Sequence, residues 1–108
     1  MSTTFSKTEK VRAAAKMELV DEFIHKYRAR ITRGLSVYGE FDPSTDKRIL
    51  SHEAIEEALD IGSYLEMCEQ KHPSLSSPIQ KIRAKTIVLY GELKKLETLE
   101  RERTKREP

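Results

Sequence analysis

Four carboxylates, Glu53, Glu56, Glu57 and Asp60, fall within the stretch "SHEAIEEALDIGSYLEM" at positions 51–67. At about 100° per residue, a helix puts these four and Tyr64 on one face and Ile55, Ala58, Leu59, Gly62 and Leu65 on the other. Like charges three and four residues apart on a helix repel by roughly a few tenths of a kcal/mol per pair. Such a face is either solvated, with cations from neighbouring helices in support, or it holds a hard divalent cation. Spacing alone favours the solvated face. The alternative is Mg²⁺, which takes oxygen ligands and leaves positions for water and phosphate oxygens. A Glu and an Asp three apart can reach one ion. Glu57 and Asp60 have that spacing, and Glu53 and Glu56 share their face.

Other chemistry-bearing residues add less. His25, His52 and His72 are far apart and none pairs with Cys68, so a zinc site is not indicated. No nucleophile elbow, triad spacing or glycine-rich phosphate loop is present, and nothing supports covalent catalysis. His52 at the head of the acidic helix, Lys47 and Arg48 just before it, and Tyr64 on its acidic face are the candidate substrate contacts. Tyr27 falls in an apolar stripe and is expected in the core. The basic clusters Arg28, Arg30, Arg33 and Lys81, Arg83, Lys85 are expected as solvated helix faces. Cys68 is expected as a buried or half-buried free thiol, in keeping with a reducing compartment.

The run "EEALDIGSYL" resembles the helix of MazG-like nucleotide pyrophosphohydrolases, in which an ExxD motif supplies metal-binding carboxylates. Glu57 and Asp60 match the E and the D, and Glu56 matches the acidic residue that often precedes them, so the resemblance implies Glu57 and Asp60 as metal ligands and catalytic pair, with Glu53 and Glu56 as further ligands or support. The wider pattern "GLSVYGEFDPSTDKRILSHEAIEEALDIGSYLEM", residues 34–67, is similar to short phage-type members: a Tyr-Gly pair closes one helix, and a His-led acidic helix follows a loop. His52 stands where that histidine would be. The resemblance covers about a third of the chain. It implies an all-α unit that assembles as dimers or tetramers, with Mg²⁺ between helices, and hydrolysis of a nucleoside triphosphate to the monophosphate and pyrophosphate. Larger members carry an EExxE motif on the preceding helix, which is missing here. Glu18, Asp21 and Glu22 are its nearest substitutes, with the wrong spacing and the character of a solvated face.

The elements that must position these residues are helical throughout. Ala13, Met17, Val20, Ile24, Tyr27 and Ile31 alternate steps of four and three and predict a first helix over 8–36, ended by Gly34 and then Gly39. "GEFDPSTD" is a turn-rich connection. Ser51 is the expected N-cap of a second helix over 50–71, with Glu53 in its first turn and Pro73 ending it. Ser77-Pro78 predicts the start of a third helix over 77–103, with Ile79, Ile82, Thr86, Leu89, Leu93 and Leu96 as its stripe. Residues 1–7 and about 104–108 are expected to fray. No alternating period-two segment is long enough for a sheet, so the fold class is all-α, a helical bundle of one domain.

With 108 residues, 37% hydrophobic and 35% charged, and a mean hydropathy of −0.64, the chain has a modest core. Three long stripes exceed what a lone three-helix unit covers, so a homo-oligomer, dimer or tetramer, is expected. A net charge of +2 argues against nucleic acid as partner. No span or signal segment is legible, and a cytoplasmic protein without membrane association is expected. Three readings stand: a Mg²⁺-dependent hydrolase of a nucleotide substrate, a non-catalytic oligomer that binds or sequesters a nucleotide, and a purely structural helical interaction module.

Overall fold

The computed structural model describes residues 6–106, the Tyr38 side chain apart. Three long helices, α1 (Lys7–Tyr38), α2 (Leu50–Lys71) and α3 (Ser76–Arg106), account for most of it, with a short 3₁₀ turn at Pro73–Leu75 between the last two. Among the described residues there is no strand, and no helix is long and apolar enough to cross a membrane. The fold is all-α. The chain divides into two units, Met1–Asp46 and Lys47–Pro108.

In the first unit, α1 opens on a capping box. The Ser6 hydroxyl accepts from the Glu9 backbone N–H at 3.1 Å, and a Glu9 carboxylate oxygen accepts from the Ser6 N–H at 3.0 Å. The helix runs through Gly34 and ends at Tyr38, so Gly34 is not the stop that the sequence predicts. Gly39 is the stop, at φ 87°, a conformation that a side chain would strain. The first unit ends in a turn built on Asp42, whose Oδ1 accepts from the Ser44 N–H at 2.9 Å and its hydroxyl at 2.7 Å. Those bonds hold the Asp42 carboxyl below its ordinary range. Of the predicted α1 stripe, Ile24 is half-buried while Met17, Val20, Tyr27 and Ile31 are exposed. Tyr27 is thus not a core residue. It stands at 39% exposure, its ring tilted against that of Phe23 at 5.4 Å between centroids.

The second unit is an antiparallel hairpin of α2 and α3. Among the residues of α2 turned from solvent, Ser51, Ile55, Ala58, Gly62, Leu65 and Glu69 follow alternating steps of four and three. On α3, Ile79, Arg83, Thr86, Tyr90, Leu93, Glu97 and Glu100 are turned from solvent in the same rhythm. Two helices each offering a seam at a mean spacing of 3.5 residues lie along one another over their length. Ile55, Ala58 and Ile79 are the buried apolar side chains of this seam. Each fully buried Ile contributes roughly 2 kcal/mol of hydrophobic stabilisation.

The ends of α3 differ from the sequence expectation. It begins at Ser76, not Ser77, because the 3₁₀ turn leads straight into it, with the Leu75 N–H donating to the His72 carbonyl at 2.9 Å. Pro78 sits in the first turn, where its missing N–H costs nothing. The helix also continues through the polar tail to Arg106. Arg103, Lys105 and Arg106 there complement the negative end of the helix dipole. Residues 1–5, 107 and 108 of the predicted frayed ends lie outside the described residues.

Gly91 lies in the interior of α3 on an exposed position, and a β-carbon built there meets nothing within 4 Å. Gly91→Ala is therefore expected to raise the stability of the hairpin by about 1 kcal/mol, since Ala restricts the unfolded chain and favours the helix. A chemical-denaturation midpoint that falls in the variant would contradict this.

Candidate functional site

Both ends of the hairpin are tied by carboxylates, and these ties decide where the acidic helix stands. The residue preceding α2, Ile49, offers no side-chain cap, so the first N–H groups of the helix would be left without partners. Glu100 on α3 supplies the cap. Its Oε1 accepts from the Ser51 N–H at 2.8 Å and its Oε2 from the Leu50 N–H at 3.0 Å. Ser51 is therefore not the N-cap expected from sequence but the second helical residue, buried at 3% exposure. Its hydroxyl lies close enough to Glu100 to favour the anion, and its N–H adds to that, so the carboxyl is held below the ordinary range. The Ser51 hydroxyl itself falls outside hydrogen-bond geometry, and the 2.8 Å backbone contact is the bond that counts.

One turn away, Glu97 takes up His52. The His52 Nδ1 stands 2.7 Å from Glu97 Oε2, and Arg101 Nη2 donates to the same oxygen at 3.1 Å. These two neighbours, His52 first, hold the Glu97 carboxyl below its usual range. The other His52 nitrogen, Nε2, stands 3.2 Å from Glu56 Oε1. Both ring nitrogens of His52 are thus engaged by carboxylates, and its place in the structure is a tie between α2 and α3.

At the opposite end, Glu69 accepts from the Ser76 hydroxyl at 2.8 Å, Gln80 Nε2 at 3.2 Å and Arg83 Nη2 at 3.3 Å. The Ser76 bond leads in keeping Glu69 below its ordinary range, with Arg83 and Gln80 adding to it. Arg83 is therefore half-buried and paired, unlike its exposed neighbours Lys81 and Lys85, although the sequence grouped all three as one solvated face.

With α2 so fixed, Glu53, Glu56, Glu57, Asp60 and Tyr64 all face solvent, Tyr64 at 70% exposure. Among the described residues Glu53, Glu57 and Asp60 make no hydrogen bond or ion pair. Lys47 and Arg48 are exposed in the segment that leads into α2. Glu18, Asp21 and Glu22 are exposed on α1, where Glu22 pairs with Lys26 at 2.8 Å.

The donor set on α2 is a pair of hard oxygen ligands three residues apart, flanked by two more carboxylates. Among the described residues no three His, Cys, Asp or Glu side chains are gathered so as to hold a metal ion. A closed all-protein cage does not fit. An ion held by one or two carboxylates, completed by water and phosphate oxygens, does fit, which is the usual manner for Mg²⁺.

Sequence reasoning gave Glu97 and Glu100 no role. Their only signal is that they continue the seam of Leu93 at steps of four and three. Comparison of the chain with protein-family models, curated proteins and solved structures returns no match.

Proposed function

We propose that this chain binds a nucleotide through Mg²⁺ on the outer edge of α2, and that it is a MazG-like pyrophosphohydrolase cleaving a nucleoside triphosphate to the monophosphate and pyrophosphate. The observation that carries the reading is that Glu53, Glu57 and Asp60 share the outer surface of one helix, face solvent, and have no cationic partner among the described residues. Uncompensated like charges at this spacing work against the helix. The order of Tyr38-Gly39, loop, His52 and acidic helix supports the same reading.

Glu57 and Asp60 hold the ion in this account, and Glu53 and Glu56 on the same face hydrogen-bond the water around it. Mg²⁺ bound there supplies charge neutralisation at the phosphates and a more acidic water. Tyr64, two turns beyond Glu57, offers an exposed ring on which a base can stack. Lys47 and Arg48 offer cations to the phosphates from the start of the helix. His52 can join them only by giving up Glu56, its longer contact.

Among the described residues no third metal ligand is gathered beside Glu57 and Asp60, and that favours a second reading in which the nucleotide is bound and sequestered without turnover. A panel of nucleoside triphosphates with Mg²⁺, followed for both pyrophosphate and melting temperature, separates the two. Pyrophosphate release that is lost in Asp60→Asn supports the hydrolase. Stabilisation without product supports sequestration, since a ligand that binds only the folded state raises apparent stability. Neither signal with any nucleotide would refute both and leave the helical interaction module.

A further inference from the structure

Of the four carboxylates on the outer edge of α2, Glu56 differs from the rest in having a partner. Glu53, Glu57 and Asp60 make no hydrogen bond or ion pair among the described residues, whereas Glu56 Oε1 stands 3.2 Å from His52 Nε2. What holds Glu56 is itself held from another helix. His52 Nδ1 stands 2.7 Å from Glu97 Oε2 on α3, and Arg101 Nη2 donates to that same oxygen at 3.1 Å. Glu97 is the sheltered end of this series, with 14% of its side chain exposed against 46% for His52 and 57% for Glu56. An ionised carboxylate only accepts, so a ring that serves both glutamates donates from both nitrogens. Arg101, Glu97, His52 and Glu56 all lie in the second unit, and the series is internal to it.

A glutamate on a helix surface samples several rotamers, and fixing it when a ligand arrives costs side-chain entropy. A carboxylate already fixed avoids that cost. Outer partners that orient the groups around a metal ion typically change its affinity by about 10–100-fold. With Oε1 of Glu56 taken by His52, its other oxygen is left to accept from water around an ion on Glu57 and Asp60.

We propose that Glu97 is a positioning residue for this site: from α3, through His52, it fixes Glu56 for the water around the ion. The inference rests on the Mg²⁺ reading given above, and it adds a residue of α3 to a site drawn from α2 and the segment leading into it. It also gives Glu97 a part distinct from that of Glu100. Glu100 ties the same end of the hairpin through the Leu50 and Ser51 N–H groups and touches neither His52 nor Glu56.

The test is calorimetric titration of Mg²⁺ into the full chain, with a nucleoside triphosphate present, at a temperature where every variant is folded. Glu97→Gln keeps the size of the side chain and removes its charge, and it is expected to weaken Mg²⁺ binding about threefold or more, within the range of coupling in one hydrogen-bond network. His52→Ala is expected to weaken it to a similar extent. The double variant should be no weaker than the worse of the two, because both changes break the same series. Glu100→Gln is the control: it loosens the same end of the hairpin and should leave Mg²⁺ affinity as it is in the wild type. Wild-type affinity in Glu97→Gln overturns the proposal. So do additive losses in the double variant, or an equal loss in Glu100→Gln, which would make the effect one of stability alone. No saturable heat in the wild type would overturn the Mg²⁺ reading itself and this inference with it.

Discussion

Ile55→Ala is expected to destabilise the hairpin by about 2–4 kcal/mol, because the truncation removes buried methyl and methylene groups and leaves a cavity. Ile55 is 5% exposed and sits in the seam one turn from Ala58, with Ile79 the other buried apolar side chain there. A seam this thin has few neighbours to collapse into the gap. Small domains are stable by roughly 5–15 kcal/mol at most, so the loss is a large share of the total. Helical signal should melt at a clearly lower denaturant concentration. Leu59→Ala, on an exposed position of the same helix at 50% exposure, serves as the control and should change little. Equal effects of the two substitutions would mean that α2 does not turn this face to α3.

Glu100→Ala is the second large effect expected. The carboxylate satisfies two backbone N–H groups at the start of α2 from a position 49 and 50 residues away. Removing a helix cap costs about 0.5–2 kcal/mol, and here the cap also ties the two helices together. The pH dependence follows from the sign of the shifts. Glu69, Glu97 and Glu100 are all held below their ordinary value of 4.5 in the folded chain. The unfolded chain therefore binds protons more readily. The stability these three contribute is fully present above about pH 4.5 and is lost as pH falls through their lower folded values. Thermal melts of the wild type should drop on acidification in that window. Glu100→Gln, which cannot titrate, should already be less stable at pH 7 and should lose less below pH 4.5. A wild-type melt unchanged between pH 6 and pH 3 would contradict these ties.

The three helices were legible because their apolar residues recur at helical spacing and because Gly39 and Pro73 interrupt them. The start of α1 was legible too: Ser6 and Glu9 have capping-box spacing, and the apolar pattern drew attention past them. The start of α2 was not legible. Its cap comes from Glu100, and no local pattern announces a partner 50 residues away. Half of the predicted α3 stripe meets α2, and the sequence could not say which half. The structure seats Ile79, Thr86 and Leu93 and leaves Ile82, Leu89 and Leu96 about half exposed. The difference is a rotation of the helix by part of a turn, in which Arg83, Glu97 and Glu100 find partners. The acidic face was legible as a face. His52 shows the limit: residue type and position suggested a phosphate contact, and only the fold reveals Glu97 beside it.

The proposed function rests on Glu57 and Asp60 holding Mg²⁺, and calorimetric titration of Mg²⁺ into the wild type and Asp60→Asn, each with and without a nucleoside triphosphate, tests it most directly. A saturable heat is expected in the wild type with nucleotide, and its loss in Asp60→Asn. The metal-free variant should melt at the same temperature as the wild type or slightly higher, because a like-charge contact is gone. If the face is merely solvated, Mg²⁺ acts only by screening. Identical weak heats in all four titrations would contradict the metal site and the nucleotide chemistry built on it.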